Sequence, residues 1–355
     1  MKDHYKNKDF SLLYAFGRPF APFYSFAMGM RAALYRKEVF KVHRLNVPVV
    51  SVGNLTMGGT GKTPMVIYLA RLLSERYKVA VVSRGYGGRA RKKVNVISDG
   101  RSILLEPPLA ADEPSLMACS LKNVSVLTGS RRVEVGRFAV DRLGADLVVL
   151  DDAFQHMALH RDVNIVLFKA STFLGNNRVF PGGDMREPLS ALNRADAFVV
   201  TCVDEQNRKR VDAYKIALNK KFPDLPVFLG KYRPLCLVKP DGKEVDLDQG
   251  NFVFFGFCGL AHPDSFQQTL ADQGFRLAGF QAFKDHQHYS RRRVDSLVKK
   301  AVAAGGNALI TTEKDFVKMK TMTGDFPAMA LRMEVRMGED FDQFVLDRII
   351  SPTVS

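Results

Sequence analysis

The densest chemistry in the sequence lies in one short stretch, Val52-Gly53-Asn54-Leu55-Thr56-Met57-Gly58-Gly59-Thr60-Gly61-Lys62-Thr63-Pro64. Glycines at 58, 59 and 61 remove the Cβ atoms that would keep backbone N–H groups away from phosphate oxygens. Gly58, Gly59, Thr60, Gly61, Lys62, Thr63 and Pro64 together read as a nucleotide-binding loop between a strand and a helix. In that reading the positive end of the helix beginning near Lys62 points at the phosphates. Lys62 neutralises the β- and γ-phosphates, and the Thr63 hydroxyl ligates Mg²⁺. The strict pattern GxxxxGK(S/T) fails at its first glycine, where Thr56 stands. What remains keeps its strand-to-helix context.

Farther along, Leu147-Val148-Val149-Leu150-Asp151-Asp152 is an apolar strand ending in two carboxylates. Downstream of a phosphate loop, one carboxylate of such a pair holds the magnesium shell and the other tunes it or positions the nucleophile. Alone, the pair would be a helix cap. Ser83-Arg84-Gly85-Tyr86-Gly87-Gly88 follows another strand and falls at the same carboxyl edge, where α/β sheets bind ligands. Asp112-Glu113-Pro114 opens a helical pattern with its carboxylates at the electropositive start, as a cap also would. Arg186-Glu187-Pro188 follows a glycine-rich turn.

These groups need a scaffold, and apolar β-branched runs supply it. Val47–Val52, Val79–Ser83, Val124–Thr128, Leu147–Leu150, Val163–Phe168 and Ala197–Val203 read as buried strands. Helical patterns at Pro64–Arg76 and Val133–Leu143 lie between some of them. The alternation predicts an α/β fold, a mostly parallel sheet covered on both faces. After Phe222 the texture becomes turn-rich, with Pro223, Pro226, Pro234, Pro240 and Asp241-Gly242. Val227–Tyr232 and Leu235–Val238 are expected there as a short two-stranded connector. A second strand-helix series follows in Phe252–Phe257, Pro263–Gln273, Leu309–Thr312 and Met329–Val335. The expected division is an N-terminal segment (1–35), a nucleotide-binding domain (36–230) and a smaller C-terminal α/β domain (231–355).

The 355 residues are enough for two α/β cores, and 46% hydrophobic with 25% charged is ordinary for a globular chain. A net charge of +15 is less ordinary and calls for an anionic partner: acidic lipid, phosphorylated substrate or nucleic acid. Cys119, Cys202, Cys236 and Cys258 show no zinc spacing and read as buried thiols of a reducing compartment. Between Leu12 and Tyr35 aromatics and Met accumulate, interrupted by Arg18 and Arg31, and Pro19 and Pro22 disfavour one straight helix. The uncharged run Pro19–Met30 is too short to span about 30 Å of hydrocarbon. No small-residue cleavage site follows it, so a secretory signal is not expected. An aromatic segment flanked by cations suits a membrane boundary, and a helix packed on the protein's own core is the alternative.

Taken in order, GGTGKTP, SRGYGG, DEP, DDxFQH and REP resemble the tetraacyldisaccharide 4'-kinase family, which phosphorylates the lipid A disaccharide precursor. Phe257-Cys258-Gly259-Leu260-Ala261-His262-Pro263, Phe283-Lys284-Asp285-His286 and Thr311-Thr312-Glu313-Lys314-Asp315 extend the resemblance from about Val47 to Val317. It implies a P-loop NTPase core, a smaller α/β domain joined by a two-stranded hinge, ATP and Mg²⁺ as co-substrates, and a glycolipid acceptor. It also implies a peripheral or monotopic position on the cytoplasmic face of the bacterial inner membrane, against an anionic surface. Carried over by motif, Lys62 and Thr63 take the phosphate and magnesium roles, and Asp151 and Asp152 the acidic-pair role. Asp112 becomes the catalytic base and His286 its assistant. Tyr86, Arg132 and Glu187 become substrate-side contacts. The chain departs from the family pattern at Ala153, usually Gly, and at Gln287, usually a second His. His288 lies one place later, so the register of that histidine is open. Gly183-Asp184-Met185 replaces the commoner Gly-Pro-Leu.

Two other classes compete. A deviant P-loop switch or motor ATPase shares the glycine core, but Met57 stands where such proteins carry an extra Lys. A nucleic-acid-binding ATPase would suit the charge, yet no RRM or zinc signature is present, so no nucleic-acid partner is expected.

Overall fold

A period of two inside the valine-rich runs decides how the first sheet is buried. Val79 and Val81 enter one core, while Ala80 and Val82 enter another on the opposite face. Strands buried on both faces need helices above and below, the economy of a parallel sheet. A computed structural model describes residues 8–350 except 249, 261, 262 and 286. His286 therefore lies outside the described residues.

The chain opens with α1 (Lys8–Gly17), a 3₁₀ turn (Arg18–Phe20) and α2 (Ala21–Arg36). Next come β1 (Val49–Asn54), α3 (Lys62–Ser74), β2 (Val79–Ser83), β3 (Asn95–Ser98), α4 (Asp112–Ser120), β4 (Ser125–Thr128) and α5 (Arg132–Leu143). They are followed by β5 (Leu147–Asp151), β6 (Val163–Lys169), a 3₁₀ turn (Leu189–Arg194), β7 (Ala197–Thr201), α6 (Arg208–Lys221) and β8 (Val227–Leu229). These strands form an eight-stranded sheet in the order β3-β4-β2-β5-β1-β6-β7-β8, parallel except where β3 runs against β4. β1 sits centrally between β5 and β6, so the loops leaving β1, β2 and β5 share one edge beside the point where strand order reverses.

A six-stranded sheet follows: β9 (Lys231–Val238), β10 (Glu244–Val245), β11 (Phe254–Cys258), β12 (Leu277–Ala282), β13 (Ala308–Thr312) and β14 (Ala328–Arg336), ordered β10-β9-β14-β13-β11-β12. α7 (Pro263–Asp272), α8 (Arg291–Ala303) and the short α9 (Glu313–Phe316) accompany it, and α10 (Glu339–Ile350) ends the described chain.

Three expectations change. The run Val227–Tyr232 does not pair with Leu235–Val238. β8 adds to the first sheet beside β7, whereas β9 pairs antiparallel with β14, roughly a hundred residues later, matching Lys231 to Arg336 and Tyr232 to Val335. A sequence run cannot name a distant partner. α10, inside the 231–355 range, returns to the first core, where Phe341, Val345 and Ile349 are buried with Val335. Among the cysteines, Cys236 and Cys258 are buried, Cys119 is exposed and Cys202 lies between; all four are free thiols.

At the N-terminus the break expected from proline is present: Pro19 sits in the 3₁₀ turn and Pro22 in the first turn of α2, where a missing N–H costs nothing. The helices dock by polar tips and one close approach. Tyr14 donates to Asp184 Oδ1 (2.8 Å), Tyr24 to the Arg186 carbonyl (3.1 Å) and Arg31 to the Gln155 carbonyl (3.2 Å). A Cβ on Gly17 would stand 2.2 Å from the Pro181 carbonyl oxygen. The opposite face is bare: Phe16, Phe23 and Phe26 are 78%, 75% and 73% exposed. Among the described residues no helix is long and apolar enough to cross a membrane.

Candidate active site

The site is built outward from the end of β1. Asn54 is buried; its Nδ2 donates to the Thr56 carbonyl (2.7 Å) and its Oδ1 accepts from Lys62 Nζ (3.3 Å). Gly58 and Gly61 take left-handed φ values of +106° and +82°, which turn the loop back on itself to start α3. Its carbonyls are bonded into the protein. Thr60 O accepts from Thr201 Oγ1 (2.9 Å) and Gly61 O from Tyr232 Oη (2.8 Å). Carbonyls held this way cannot repel an anion seated in the loop. Met57 N donates to the Asp184 carbonyl (2.7 Å), which ties the loop to the segment that carries the N-terminal helices.

Across the sheet, β5 delivers the two carboxylates, and the fold makes them unlike. Asp152 has φ +48° and accepts from Arg186 Nη1 at 2.8 and 3.0 Å, with Lys62 Nζ 3.6 Å away. Burial alone would raise its carboxyl, but Lys62 and Arg186 outweigh burial and hold it below the usual carboxylate range. Asp151 is almost wholly buried; Ser83 Oγ donates to its Oδ2 (2.9 Å), and its Oδ1 has no hydrogen-bond partner among the described residues. Burial, then the charges of Glu113 and Asp152, push it up to about 7. Neighbouring carboxyls driven apart in this way mark a working site. An orphaned Asp151 carboxyl oxygen beside a second carboxylate offers oxygen donors alone, which fits a hard divalent cation.

The remaining residues surround this centre. Arg132, at the start of α5, is buried and donates to the Ser130 carbonyl (3.2 Å), while its Nε lacks a partner among the described residues. Burial and then the positive charges of Arg132, Arg161, Arg31 and Arg84 push His156 down to about 4, leaving a neutral imidazole among cations. Tyr86 is 85% exposed on the loop after β2. Asp112 begins α4, with its Oδ2 3.4 Å from Lys318 Nζ in the second unit. That ammonium also donates to the Gln287 carbonyl (3.0 Å), so α4 and the loop next to position 286 meet at one nitrogen. His288 is exposed. Glu187 stands apart from the open site: only 2% exposed, it is ion-paired with Arg194 and so braces the 186–194 turn from within. Behind Gly59 and Gly61 a cavity of about 700 Å³ opens between α3 and the second sheet, lined by Ile67, Tyr68, Leu116, Phe266, Met333 and Val335 among others.

Residues 13–350 match the family model described as Tetraacyldisaccharide-1-P 4'-kinase. The chain belongs to this family. It is 42% identical to the tetraacyldisaccharide 4'-kinase of Desulfotalea psychrophila over 336 residues, covering 94% of this chain and 96% of the relative. The corresponding protein of Syntrophus aciditrophicus is 39% identical over 341 residues, covering 92% and 91%. Among solved structures, the "apo" form of LpxK from Aquifex aeolicus, in complex with ATP, superimposes with a TM-score of 0.78 at 33% identity, covering 93% of this chain and 98% of that one.

Family membership makes the chain a kinase, and it gives weight to residues that motif reading passed over. Arg186 was visible in the sequence but drew no role; the structure gives it both oxygens of Asp152. Asn54, a polar residue closing an apolar strand, is the lysine's second anchor. Lys318 had one sequence signal, its i,i+3 spacing from Asp315 on a helical stretch. Tyr232 had none, because its partner Gly61 lies 171 positions away.

Proposed function

We propose that this family member transfers the γ-phosphate of ATP to the 4'-hydroxyl of a tetraacyldisaccharide 1-phosphate in lipid A assembly. The observation that carries the reading is the convergence of Lys62, Asp151 and Asp152 at one sheet edge, with Asp112 facing the second unit. The glycine loop with Lys62, Thr63 and Pro64 receives the triphosphate in a P-loop core. The apolar cavity behind Gly59 and Gly61 suits the nucleoside end. Thr63, Asp151 and Asp152 would hold Mg²⁺, which neutralises charge on the transferring phosphoryl group. Lys62 leaves Asp152 for the phosphates when nucleotide binds. A sugar hydroxyl is a poor nucleophile that gives up its proton late, and Asp112 accepts it with His286 assisting. Tyr86 and Arg132 contact the acceptor, and Glu187 supports that side through Arg194.

The same reading divides the chain into a membrane-facing segment (1–35), a catalytic unit (36–230) and a second unit (231–355) joined through a two-stranded hinge, with α10 folded back on the catalytic unit. Closure between the units would exclude water and limit wasted hydrolysis. The bare phenylalanines and basic balance support residence on an anionic cytoplasmic leaflet. The test is incubation with γ-labelled ATP and a 1-phosphorylated diglucosamine lipid. Label should appear in the lipid; release of inorganic phosphate with none in the lipid would reject the kinase reading in favour of a switch ATPase.

A further inference from the structure

The TTEKD segment is a motif that the phosphoryl-transfer reading leaves without work, and its side chains organise the face that the second unit turns toward α4. Asp315, fully buried, accepts from the Gly259 backbone N–H (2.7 Å) and from Thr312 Oγ1 (3.0 Å). Lys314 pairs with Asp285 at 2.9 Å. One turn on, Lys318 gathers three oxygens around an ammonium that is only 8% exposed: Asp315 Oδ1 at 2.9 Å, the Gln287 carbonyl at 3.0 Å and Asp112 Oδ2 at 3.4 Å. The Tyr289 ring closes another side, 5.3 Å from the nitrogen. Two of those oxygens belong to the second unit; the third belongs to the carboxylate assigned as base in the first.

We infer that Lys318 is a positioning residue that fixes the Asp112 carboxylate in place, so that the base is competent only when the second unit is packed against α4. The inference rests on the reading of Asp112 as base. A buried ammonium is held in place because leaving it unpaired is costly, so its direction is set by Asp315 and Gln287 before Asp112 arrives. A carboxylate meeting a preset cation loses rotational freedom and is aimed in one direction. The simpler role, balancing the buried charge of Asp315, predicts a different pattern of variants.

The test measures kcat, KM for ATP and melting temperature on the full chain for Asp112→Asn, Lys318→Gln, Lys318→Gln with Asp315→Asn, and Lys318→Gln with Asp112→Asn. Lys318→Gln should lower kcat by about 10- to 100-fold with KM for ATP nearly unchanged, the mark of an interaction used in the transition state. Adding Asp315→Asn removes the orphaned buried charge, so melting temperature should recover while kcat stays low. In the Asp112→Asn background, Lys318→Gln should cost almost nothing further, because both act on one step. Recovery of kcat together with stability, or an undiminished Lys318→Gln loss in the Asp112→Asn background, would overturn the inference. Full activity of Lys318→Gln beside an inactive Asp112→Asn would reject it alone, whereas near-wild-type activity of Asp112→Asn would remove the base reading and this inference with it.

Discussion

Two adjacent carboxyls, Asp151 and Asp152, show how little residue type decides without environment. Asp152 keeps its charge because Lys62 and Arg186 surround it, while Asp151 holds a proton up to about 7 because burial and its acidic neighbours oppose ionisation. The sign of the consequence follows from proton counting. Between about pH 4 and 7 the unfolded chain releases a proton that folded Asp151 retains, so its contribution to stability falls as pH rises through that window. His156 works oppositely: the unfolded histidine binds a proton below its ordinary value of 6.5 that the folded one refuses down to about 4. Only the difference between variant and wild type isolates Asp151. In magnesium-free buffer, Asp151→Asn should melt with wild type near pH 4 and above it at pH 8, by on the order of 2–4 kcal/mol. Equal stability at both pH values would remove the raised carboxyl from the account. Lys62→Ala should leave the circular dichroism spectrum intact and lower lipid phosphorylation by about 10²-fold or more, since a charge on the transferring phosphate is lost. A folded Lys62→Ala protein with unchanged lipid labelling would contradict its role.

At the scale of elements, the loop from Thr56 to Gly61 is held by partners that sequence order hides. Its glycines and the strand and helix on either side were legible because each is a local property. The tyrosine that pins Gly61 O, the threonine that pins Thr60 O and the Asp184 carbonyl that receives Met57 N were not, because they arrive from three other parts of the chain. The same limit explains β3, a short antiparallel edge, and β9, whose partner is the last strand. Gly61→Ala is the sharpest probe of this arrangement. Its Cβ would stand 2.0 Å from Tyr232 Oη in a left-handed backbone, costing roughly 1–3 kcal/mol. ATP affinity should fall, and Tyr232→Phe in the same chain should recover part of it by removing the clashing oxygen. If Gly61→Ala binds ATP as wild type does, the pinned loop is not what shapes the phosphate site.

Over the whole molecule, the N-terminal helices show one face to the protein and another to the surroundings. Their polar tips meet Asp184, Arg186 and Gln155, next to the active site, and their phenylalanines point away. The aromatic enrichment was readable from composition, whereas which rings are bare depended on where the helices dock. Replacing Phe16, Phe23 and Phe26 together by Ser should leave the melting temperature within about 1 °C, since exposed rings contribute little to folding. Flotation with anionic vesicles should fall severalfold, and for the unaltered chain it should weaken as salt rises. Equal flotation of the two proteins would assign the rings to some other surface.

The antiparallel match of Lys231 with Arg336 and Tyr232 with Val335 means that the chain enters and leaves the second unit through adjacent strands. A body hung on one thread can swivel, but a body carried on two rails, cross-tied by hydrogen bonds, resists torsion and yields mainly to bending. The travel expected of it is that of a lid on a flat strap, nodding toward α4 or away from it. Since Tyr232, near the root of that strap, grips the Gly61 carbonyl, each nod is expected to begin at the loop that the proposed function gives to the phosphates.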